Sequence, residues 1–115
     1  MRIGELSKRT GIAASRIRFY ERHRVLPRPR RDANGYRTYP ATAVKLLGLI
    51  DGSQQLGFSL SEIRAALSES APHFPSHAAM AKALRAKLES IDKHMRDIRA
   101  RRRQIVTLLK QLEED

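Results

Sequence analysis

Residues 11–40 read GIAASRIRFY ERHRVLPRPR RDANGYRTYP, and this stretch decides the fold. Its first part, Ala13–Arg22, is compatible with a helix. The segment LPRP at 26–29 ends that helix, because proline lacks the backbone N–H that a helix interior needs. Asn34 and Gly35 follow, a pair that accepts the positive φ angles of a tight hairpin turn. The stretch therefore predicts a short helix and then a two-stranded hairpin that carries several arginines.

The residues before this stretch add a first helix. Ile3–Thr10 is helix-compatible, with apolar residues on one face, and Gly11 stands where a helix commonly ends in the left-handed conformation. Two short helices joined by a tight glycine-containing turn form a helix-turn-helix motif. An ordinary helical hairpin is the alternative reading of this segment alone. Ala13 stands where Ser or Thr would be expected as the cap of the second helix.

Two more helices are predicted after the hairpin. Pro40 lies near the start of a third helix that runs to about Gln55, with apolar residues at helical spacing. Gly57 breaks this helix. The sequence at Ser59–Glu62 fits a capping box, in which a serine and a glutamate three residues later satisfy each other's backbone N–H groups. It predicts a fourth helix that runs to about Glu69.

A long helix is predicted for the end of the chain, from His77 to Leu112, with a length of roughly 50 Å. Apolar residues recur along it at alternating intervals of four and three residues, the pattern of a coiled-coil seam. One small domain cannot cover so much apolar surface, so we expect a second chain as its partner. Docking along its own domain is the alternative. The predicted seam consists of Leu84, Leu88, Ile91, Met95, Ile98, Arg102, Ile105, Leu109 and Leu112.

The charge of the chain is high and uneven. The 115 residues include 23 Lys and Arg against 12 Asp and Glu, a formal net charge of +11. Residues 1–39 hold 11 of the bases and three acids, a net of +8, which leaves +3 for residues 40–115. Such a balance favours an anionic polymer as partner, and the 17 arginines suit bidentate contacts with phosphate or guanine. The polyanion-binding surface is expected in the first third.

Composition also excludes several classes of site. The chain has no cysteine, which rules out disulfides, thiolate metal sites and iron–sulfur clusters. We find no nucleophile–base constellation, phosphate-binding glycine loop or paired carboxylates, so we do not expect an enzyme, and we expect no cofactor. No apolar stretch could serve as a signal peptide or span a bilayer, which predicts a cytoplasmic protein with no membrane partner. Metal ligation by His73 and His77 is possible, but solvated linker histidines are the simpler reading.

The order of these motifs resembles the MerR family of bacterial transcription regulators. The motifs that carry the resemblance are Ile3-Gly4-Glu5-Leu6, Thr10-Gly11, Ile17–Glu21, Leu26-Pro27, Arg31, Asn34–Tyr39 and Leu56–Ile63. The resemblance implies a mainly α-helical protein, with a winged helix-turn-helix domain and a long helix that forms an antiparallel coiled-coil homodimer. We expect a DNA-binding domain at 1–70, a linker at 71–76 and the dimerisation helix at 77–115.

The resemblance also implies a mode of action. Members of the family bind a pseudo-palindromic promoter operator and distort the DNA between the −35 and −10 elements, which realigns these elements for RNA polymerase. The expected partners are therefore double-stranded DNA, a second copy of the chain and RNA polymerase, in the nucleoid. Carried onto this sequence, the DNA-binding residues are Ser15, Arg16, Arg18, Tyr20, Arg31, Tyr36, Arg37, Tyr39, Gln54 and Phe58. Burial of Tyr39 and Phe58, or a pairing of Arg18 with Glu21, would give those three residues structural roles instead.

The sequence departs from the family branches that sense metals, redox state or drugs. Those branches use cysteines or a large C-terminal effector domain, so we expect a short form that lacks both. Two other functions remain open at this point. One is an architectural winged-helix protein of the excisionase kind, and the other is a coiled-coil adaptor between proteins.

Overall fold

A computed structural model describes residues 1–114, which form two units. The first unit is Met1–Ser76, and the second begins at His77 and is a single helix. The mainly helical fold with a wing and a long last helix confirms the predicted fold class. Its elements are α1 (Ile3–Thr10), α2 (Ala14–Arg22), β1 (Arg30–Arg31), β2 (Arg37–Thr38), α3 (Thr42–Gln55), α4 (Leu60–Ser70) and α5 (His77–Glu114).

The turn between α1 and α2 is short because a glycine closes α1. Gly11 has a φ of 73°, and its N–H donates to the carbonyl of Ser7 at 2.9 Å. Only glycine adopts this left-handed conformation without steric cost. The Thr10 hydroxyl accepts the N–H of Ile12 at 3.1 Å, which holds the turn in place. Ala13 is the N-cap residue of α2 and forms no side-chain cap, as an alanine at this position predicts. The helix itself begins at Ala14, one residue later than the predicted helix.

The wing is a short hairpin whose loop is longer than the tight turn that its sequence predicts. β1 and β2 pair antiparallel over two residues each, with Arg30 opposite Thr38. The loop between them spans residues 32–36, because the Asp32 carboxylate accepts the backbone N–H groups of Asn34 at 2.9 Å and Tyr36 at 3.0 Å. A short acidic side chain that binds the backbone two residues ahead is a standard turn device. Tyr36 therefore lies in the loop and not in a strand.

The core of the first unit joins the helices to the base of the wing. α1 packs on α2 and α3, and α3 packs on α4. The chain's N-terminus fastens the wing to this core, because the carbonyl of Met1 accepts the N–H of Tyr39 and its ammonium group donates to the carbonyl of Tyr39, both at 2.6 Å. The buried apolar residues are Leu6, Ile12, Ile17, Tyr20, Val25, Leu26, Tyr39, Ala43, Leu47, Ile50 and Ile63.

The predicted capping box is present at the start of α4. The Ser59 hydroxyl accepts the N–H of Glu62 at 3.0 Å, and the Glu62 carboxylate accepts the N–H of Ser59 at 2.9 Å. Ile63, one residue later, is buried in the core. The cap thus fixes where α4 begins and which of its faces turns inward.

The second unit, α5, is a helix of 38 residues with no buried residue. At 1.5 Å per residue its length is about 57 Å. The eight apolar seam residues are each between 42% and 73% exposed. A helix that crosses a bilayer must be long and apolar. α5 is long but too charged, and no other helix within residues 1–114 is both long and apolar enough.

Candidate nucleic-acid interface

One face of α2 enters the core and the opposite face is open to solvent. The inner face follows the i, i+3, i+4 spacing of a helix. It consists of Ile17, Tyr20 and Glu21. The exposed polar residues of α2 are Ser15, Arg16, Arg18 and Arg22. Ser15, Arg16 and Arg18, which are predicted to bind DNA, are thus accessible from solvent, whereas Tyr20 is not.

Tyr20 is fully buried, which argues against the direct DNA contact that its sequence position predicts. Its hydroxyl donates to the Asp51 carboxylate at 2.8 Å and accepts the Nε–H of Arg16 at 3.0 Å. Arg16 also lies 3.2 Å from the same carboxylate. Burial and the hydrogen bond to Asp51 raise the pKa of Tyr20, so it remains a neutral donor. Tyr20 is therefore a positioning residue that holds the exposed Arg16 on α3.

Gln54 lies in the last turn of α3 and Phe58 lies between α3 and α4, and both have contacts inside the protein. The side-chain oxygen of Gln54 is 3.0 Å from the Tyr20 hydroxyl. Phe58 is partly buried and packs against the core, which is the alternative that its sequence left open. Their assignment as DNA-binding residues remains a prediction.

Glu21 connects α2 to the wing, a role that sequence reasoning missed. It is 8% exposed, and it is the single buried charged residue among residues 1–114. One of its carboxylate oxygens accepts the hydroxyl proton of Tyr39, and the other lies 3.2 Å from the Arg37 guanidinium. The ion pair of Glu21 is thus with Arg37 and not with Arg18, the pairing considered from sequence.

Tyr39 is 2% exposed, so the structure favours the buried alternative over direct contact with DNA. Arg37 keeps about half of its side chain in solvent, at 48% exposure. It can therefore pair with Glu21 and still face an anion. The signal that was available in the sequence is the position of Glu21, four residues after the inner-face Ile17 of α2.

The Tyr39 hydroxyl gives the fold a pH dependence that can be measured. Burial and the contact with Glu21 raise the pKa of Tyr39 from 10.0 to about 12. The folded state holds this proton more tightly than the unfolded state, so the contribution is complete below pH 10 and is lost as the pH rises towards 12. We expect the stability difference between the wild type and Tyr39→Phe to shrink by about 2 kcal/mol between pH 9 and about pH 11.5. Urea denaturation at the two pH values measures it, with Tyr36→Phe as control, and a constant difference would contradict the assignment.

Five arginines surround a cleft between α2 and the wing. The cleft has a volume of about 410 Å³. It is lined by Arg18, Glu21, Arg22, Arg28, Pro29, Arg31 and Arg37. The five guanidinium groups outnumber the single carboxylate, which gives the lining a formal charge of +4. A concave surface with this charge suits a phosphate oxygen cluster, because arginine offers paired N–H donors in a fixed plane.

Two lining residues, Arg22 and Arg28, extend the predicted set. Arg22 follows Arg18 by one helical turn, and Arg28 lies in the segment that joins α2 to the wing. Both could have been found from sequence, since the dense run of arginines between residues 16 and 37 places them inside the basic region. Together with Arg22 and Arg28, the predicted residues Arg18, Arg31 and Arg37 line the same cleft.

The tip of the wing carries an exposed aromatic ring beside a base. Tyr36 is 55% exposed, and the guanidinium of Arg2 lies 4.2 Å from the centre of its ring. Arg31 donates to the carbonyl of Gly35 at 2.9 Å, which stiffens the loop. Arg2 is a further basic residue that the motifs did not indicate. This stacked pair can contact a sugar–phosphate backbone, because the guanidinium can bind a phosphate and the ring can pack against a sugar.

His73 and His77, the possible metal ligands, do not belong to a larger group of ligating side chains in the described part of the chain. No group of three or more His, Cys, Asp or Glu side chains within residues 1–114 is placed to hold a metal ion. His73 and His77 are both exposed.

Comparisons with known proteins agree with this arrangement. The model of the MerR HTH family regulatory protein matches residues 1–70, and that of the MerR DNA-binding region matches residues 44–108. The transcriptional regulator CueR of Yersinia pestis is 36% identical over 110 residues, which cover 94% of this chain and 78% of that protein. The regulator HmrR of Rhizobium leguminosarum bv. viciae is 37% identical over 109 residues, which cover 95% and 84%.

Solved structures show the same fold. The transcription regulator PbrR691 from Ralstonia metallidurans CH34, in complex with lead(II), matches with a TM-score of 0.75 and 27% identity, over 96% of this chain and 86% of that one. HiNmlR, a MerR family regulator bound to promoter DNA, matches with a TM-score of 0.51 and 20% identity, over 97% and 83%, which is a likeness of fold. The helix-turn-helix, the wing and these matches agree: the chain belongs to the MerR family of helix-turn-helix regulators and is a DNA-binding transcription regulator of that type.

Proposed function

We propose that two copies of the chain pair through α5 and bind a pseudo-palindromic promoter operator, one winged module to each half-site. The observation that carries this proposal is the cleft lined by five arginines between α2 and the wing. A second copy would bring the formal charge to +22, twice the +11 of one chain. Such a charge suits a partner whose binding releases counterions.

The residues of each module divide into readers and clamps. Ser15, Arg16 and Arg18 on the exposed face of α2 would approach base edges in the major groove, as recognition helices do. The wing residues Arg31 and Arg37 would hold phosphates, which fixes the orientation of the protein on the duplex without reading the sequence. In this proposal Tyr20 and Tyr39 act indirectly, because they hold Arg16 and the wing in place.

The apolar seam of α5 supports the homodimer. Its residues are exposed in the single chain, and a patch of this length has to be covered by a partner. We therefore assign DNA binding to residues 1–70, a linker to 71–76 and dimerisation to 77–115. An architectural winged-helix protein or a protein adaptor would not need the combination of this seam with the arginine cleft.

Regulation would act through the shape of the promoter. Bending or untwisting a binding site costs on the order of 1–6 kcal/mol, which contacts from two modules can supply. We propose that the dimer distorts the DNA between the −35 and −10 elements and so controls RNA polymerase. This function places the protein in the cytoplasm, at the nucleoid. Footprinting on promoter DNA tests it: protection centred between the two elements, with enhanced cleavage at the dyad, is the expected result, and protection outside the promoter would contradict it.

Substitution of Arg18 tests the arginine cleft directly. We expect Arg18→Ala to weaken binding to operator DNA about tenfold, because a base-edge contact is lost. The slope of log K against log salt should fall by about one, because the cleft loses one of its positive charges. Fluorescence anisotropy at several salt concentrations measures both quantities. Arg96→Ala is the matched control, since it removes the same charge from α5. If both variants change the slope equally, the loss reflects overall charge, and the cleft is not the contact surface.

A further inference from the structure

The seam of α5 has charged residues along one of its flanks. In heptad notation a and d face the partner, e lies beside a, and g lies beside d. Position a is occupied by Leu88, Met95, Arg102 and Leu109, and position d by Leu84, Ile91, Ile98, Ile105 and Leu112. Position e is occupied by Arg85, Asp92, Arg99, Val106 and Glu113. The e flank therefore holds one acid, Asp92, among bases in the middle of the helix.

Three charged residues near the middle of α5 have no ion-pair partner among residues 1–114. Asp92, Arg99 and Arg102 are exposed, and none of them forms an ion pair in the part of the chain that the structure describes. Arg102 is the one charged residue at a seam position. A charge that interrupts an apolar seam is costly unless an opposite charge meets it from the partner.

Charge decides between the possible alignments of two copies. In a parallel pair, Arg102 would face Arg102 of the partner subunit in one core layer, which is repulsive. In an antiparallel pair, an a residue of one chain packs against a d residue of the other. For two residues that lie at the same height on the two helices, the residue numbers add to a constant, and this constant defines the register. From the seven-residue repeat, the registers that pair the most seam residues have constants of 193 and 200, followed by 186 and 207.

Only one of these registers brings opposite charges together on the e flank without also setting like charges opposite each other. At 200, Arg85 faces Glu113 of the partner subunit, but Arg99 faces Arg99 of the partner subunit. At 207, Asp92 faces Glu113 of the partner subunit. At 186, Asp92 faces Asp92 of the partner subunit. At 193, Asp92 faces Arg99 of the partner subunit, and the symmetry of the pair repeats the contact. Asp92 is then offset from the partner's Arg102 by a single residue, about 1.5 Å along the helix.

We propose that Asp92 of each chain lies between Arg99 and Arg102 of the partner subunit, and that this double ion cluster sets an antiparallel register in which Met95 packs against Ile98 of the partner subunit. The inference rests on the proposed homodimer and adds to it the alignment of the two helices. It explains why a charged residue, Arg102, occupies a position in an otherwise apolar seam. Because an ion pair of a and e residues tolerates only one register, the cluster excludes slipped and parallel pairings.

Disulfide trapping tests the register, and the absence of native cysteine makes it clean. Leu88→Cys and Ile105→Cys chains, carrying different tags and mixed by refolding, should form a mixed disulfide, since 88 and 105 add to 193. Leu88→Cys mixed with Leu112→Cys, which add to 200, should not. Leu88→Cys alone should not cross-link either, whereas a parallel pair would link it efficiently. A mixed disulfide in the 200 pair, or a homotypic one at 88, would overturn the register.

Charge reversal tests the ion cluster itself. Asp92→Lys should raise the dimer dissociation constant about tenfold or more, because each new lysine faces two arginines. Asp97→Lys is the matched control, with the same charge change at an outward position of the same helix. Adding Arg99→Glu to Asp92→Lys should restore much of the affinity. Equal effects of the Asp92 and Asp97 variants would overturn the cluster.

The outcomes separate this inference from the proposed function. If light scattering gave the mass of a monomer for the wild type at all concentrations, both the proposed homodimer and the ion cluster would be contradicted. A dimer that cross-links at 88 and 112 would keep the homodimer and remove the cluster. A dimer that cross-links at 88 and 105 but is indifferent to Asp92→Lys would keep the register and remove its proposed cause.

Discussion

Replacement of Glu21 by alanine should lower the free energy of unfolding by about 2–4 kcal/mol, the largest effect on stability that we expect from one polar side chain. The substitution leaves the buried Tyr39 hydroxyl without its acceptor and Arg37 without its counter-charge. A buried polar group that loses its partner pays the full cost of its desolvation. Chemical denaturation of the whole chain, followed by circular dichroism, measures the change.

Two further variants show whether the loss comes from these contacts. Glu21→Gln keeps an oxygen that can accept the Tyr39 proton but removes the charge opposite Arg37, so its cost should be intermediate. Glu5→Ala removes an exposed acid whose partner, Arg9, lies on the surface, and should change stability by less than about 0.5 kcal/mol. If Glu21→Ala were as mild as Glu5→Ala, the wing would be held by its backbone contacts alone.

Glu21→Ala also shows whether DNA binding depends on the total charge of the cleft or on the orientation of the wing. Removal of Glu21 makes the arginine cleft more positive, so charge alone predicts tighter binding to any duplex. If Glu21 instead fixes the wing against α2, the preference for operator over random DNA should fall, because the wing arginines no longer meet phosphates in one orientation. This expectation follows from the ion pair between Glu21 and Arg37, which joins residues 16 positions apart.

Local features of the fold were predictable because their causes lie within a few residues. The left-handed turn at Gly11 and the capping box at Ser59 and Glu62 depend on contacts no more than four residues apart. The wing was predicted from Asn34 and Gly35, but its loop is longer, since the Asp32 side chain competes for the backbone donors. Where two local signals compete, the sequence alone does not decide which one wins.

The roles of the site residues depended on contacts that are distant in sequence. Tyr20 meets Asp51 across 31 residues, and Tyr39 meets Glu21 across 18. Both tyrosines resemble DNA contacts as sequence motifs, but the helical phase of α2 turns Tyr20 inward beside Ile17. The arginines needed no such information, because a guanidinium group is placed at a surface by its charge wherever the chain runs. For this reason the basic surface was predicted, whereas the residues that organise it were not.

Replacement of Ile98 by aspartate should convert the protein to a monomer and reduce its affinity for operator DNA by at least two orders of magnitude. Ile98 is a seam residue of α5 and is 45% exposed in the single chain, so the change costs the isolated helix little. In the dimer it would bury two carboxylates against an apolar seam, where an unpaired charge is strongly disfavoured. Light scattering coupled to size exclusion measures the mass, and fluorescence anisotropy measures the affinity.

The loss of DNA affinity should come from the lost partner and not from unfolding of the DNA-binding module. The unit Met1–Ser76 has its own core, which does not include α5, so its unfolding transition should be unchanged in Ile98→Asp. Gln104→Asp adds the same charge at an outward position of α5 and should leave both mass and affinity as they were. A variant that bound operator DNA normally as a monomer would show that one winged module suffices, since each half-site contact would then add nothing to the other. A variant that remained a dimer would instead show that the seam does not join the two chains.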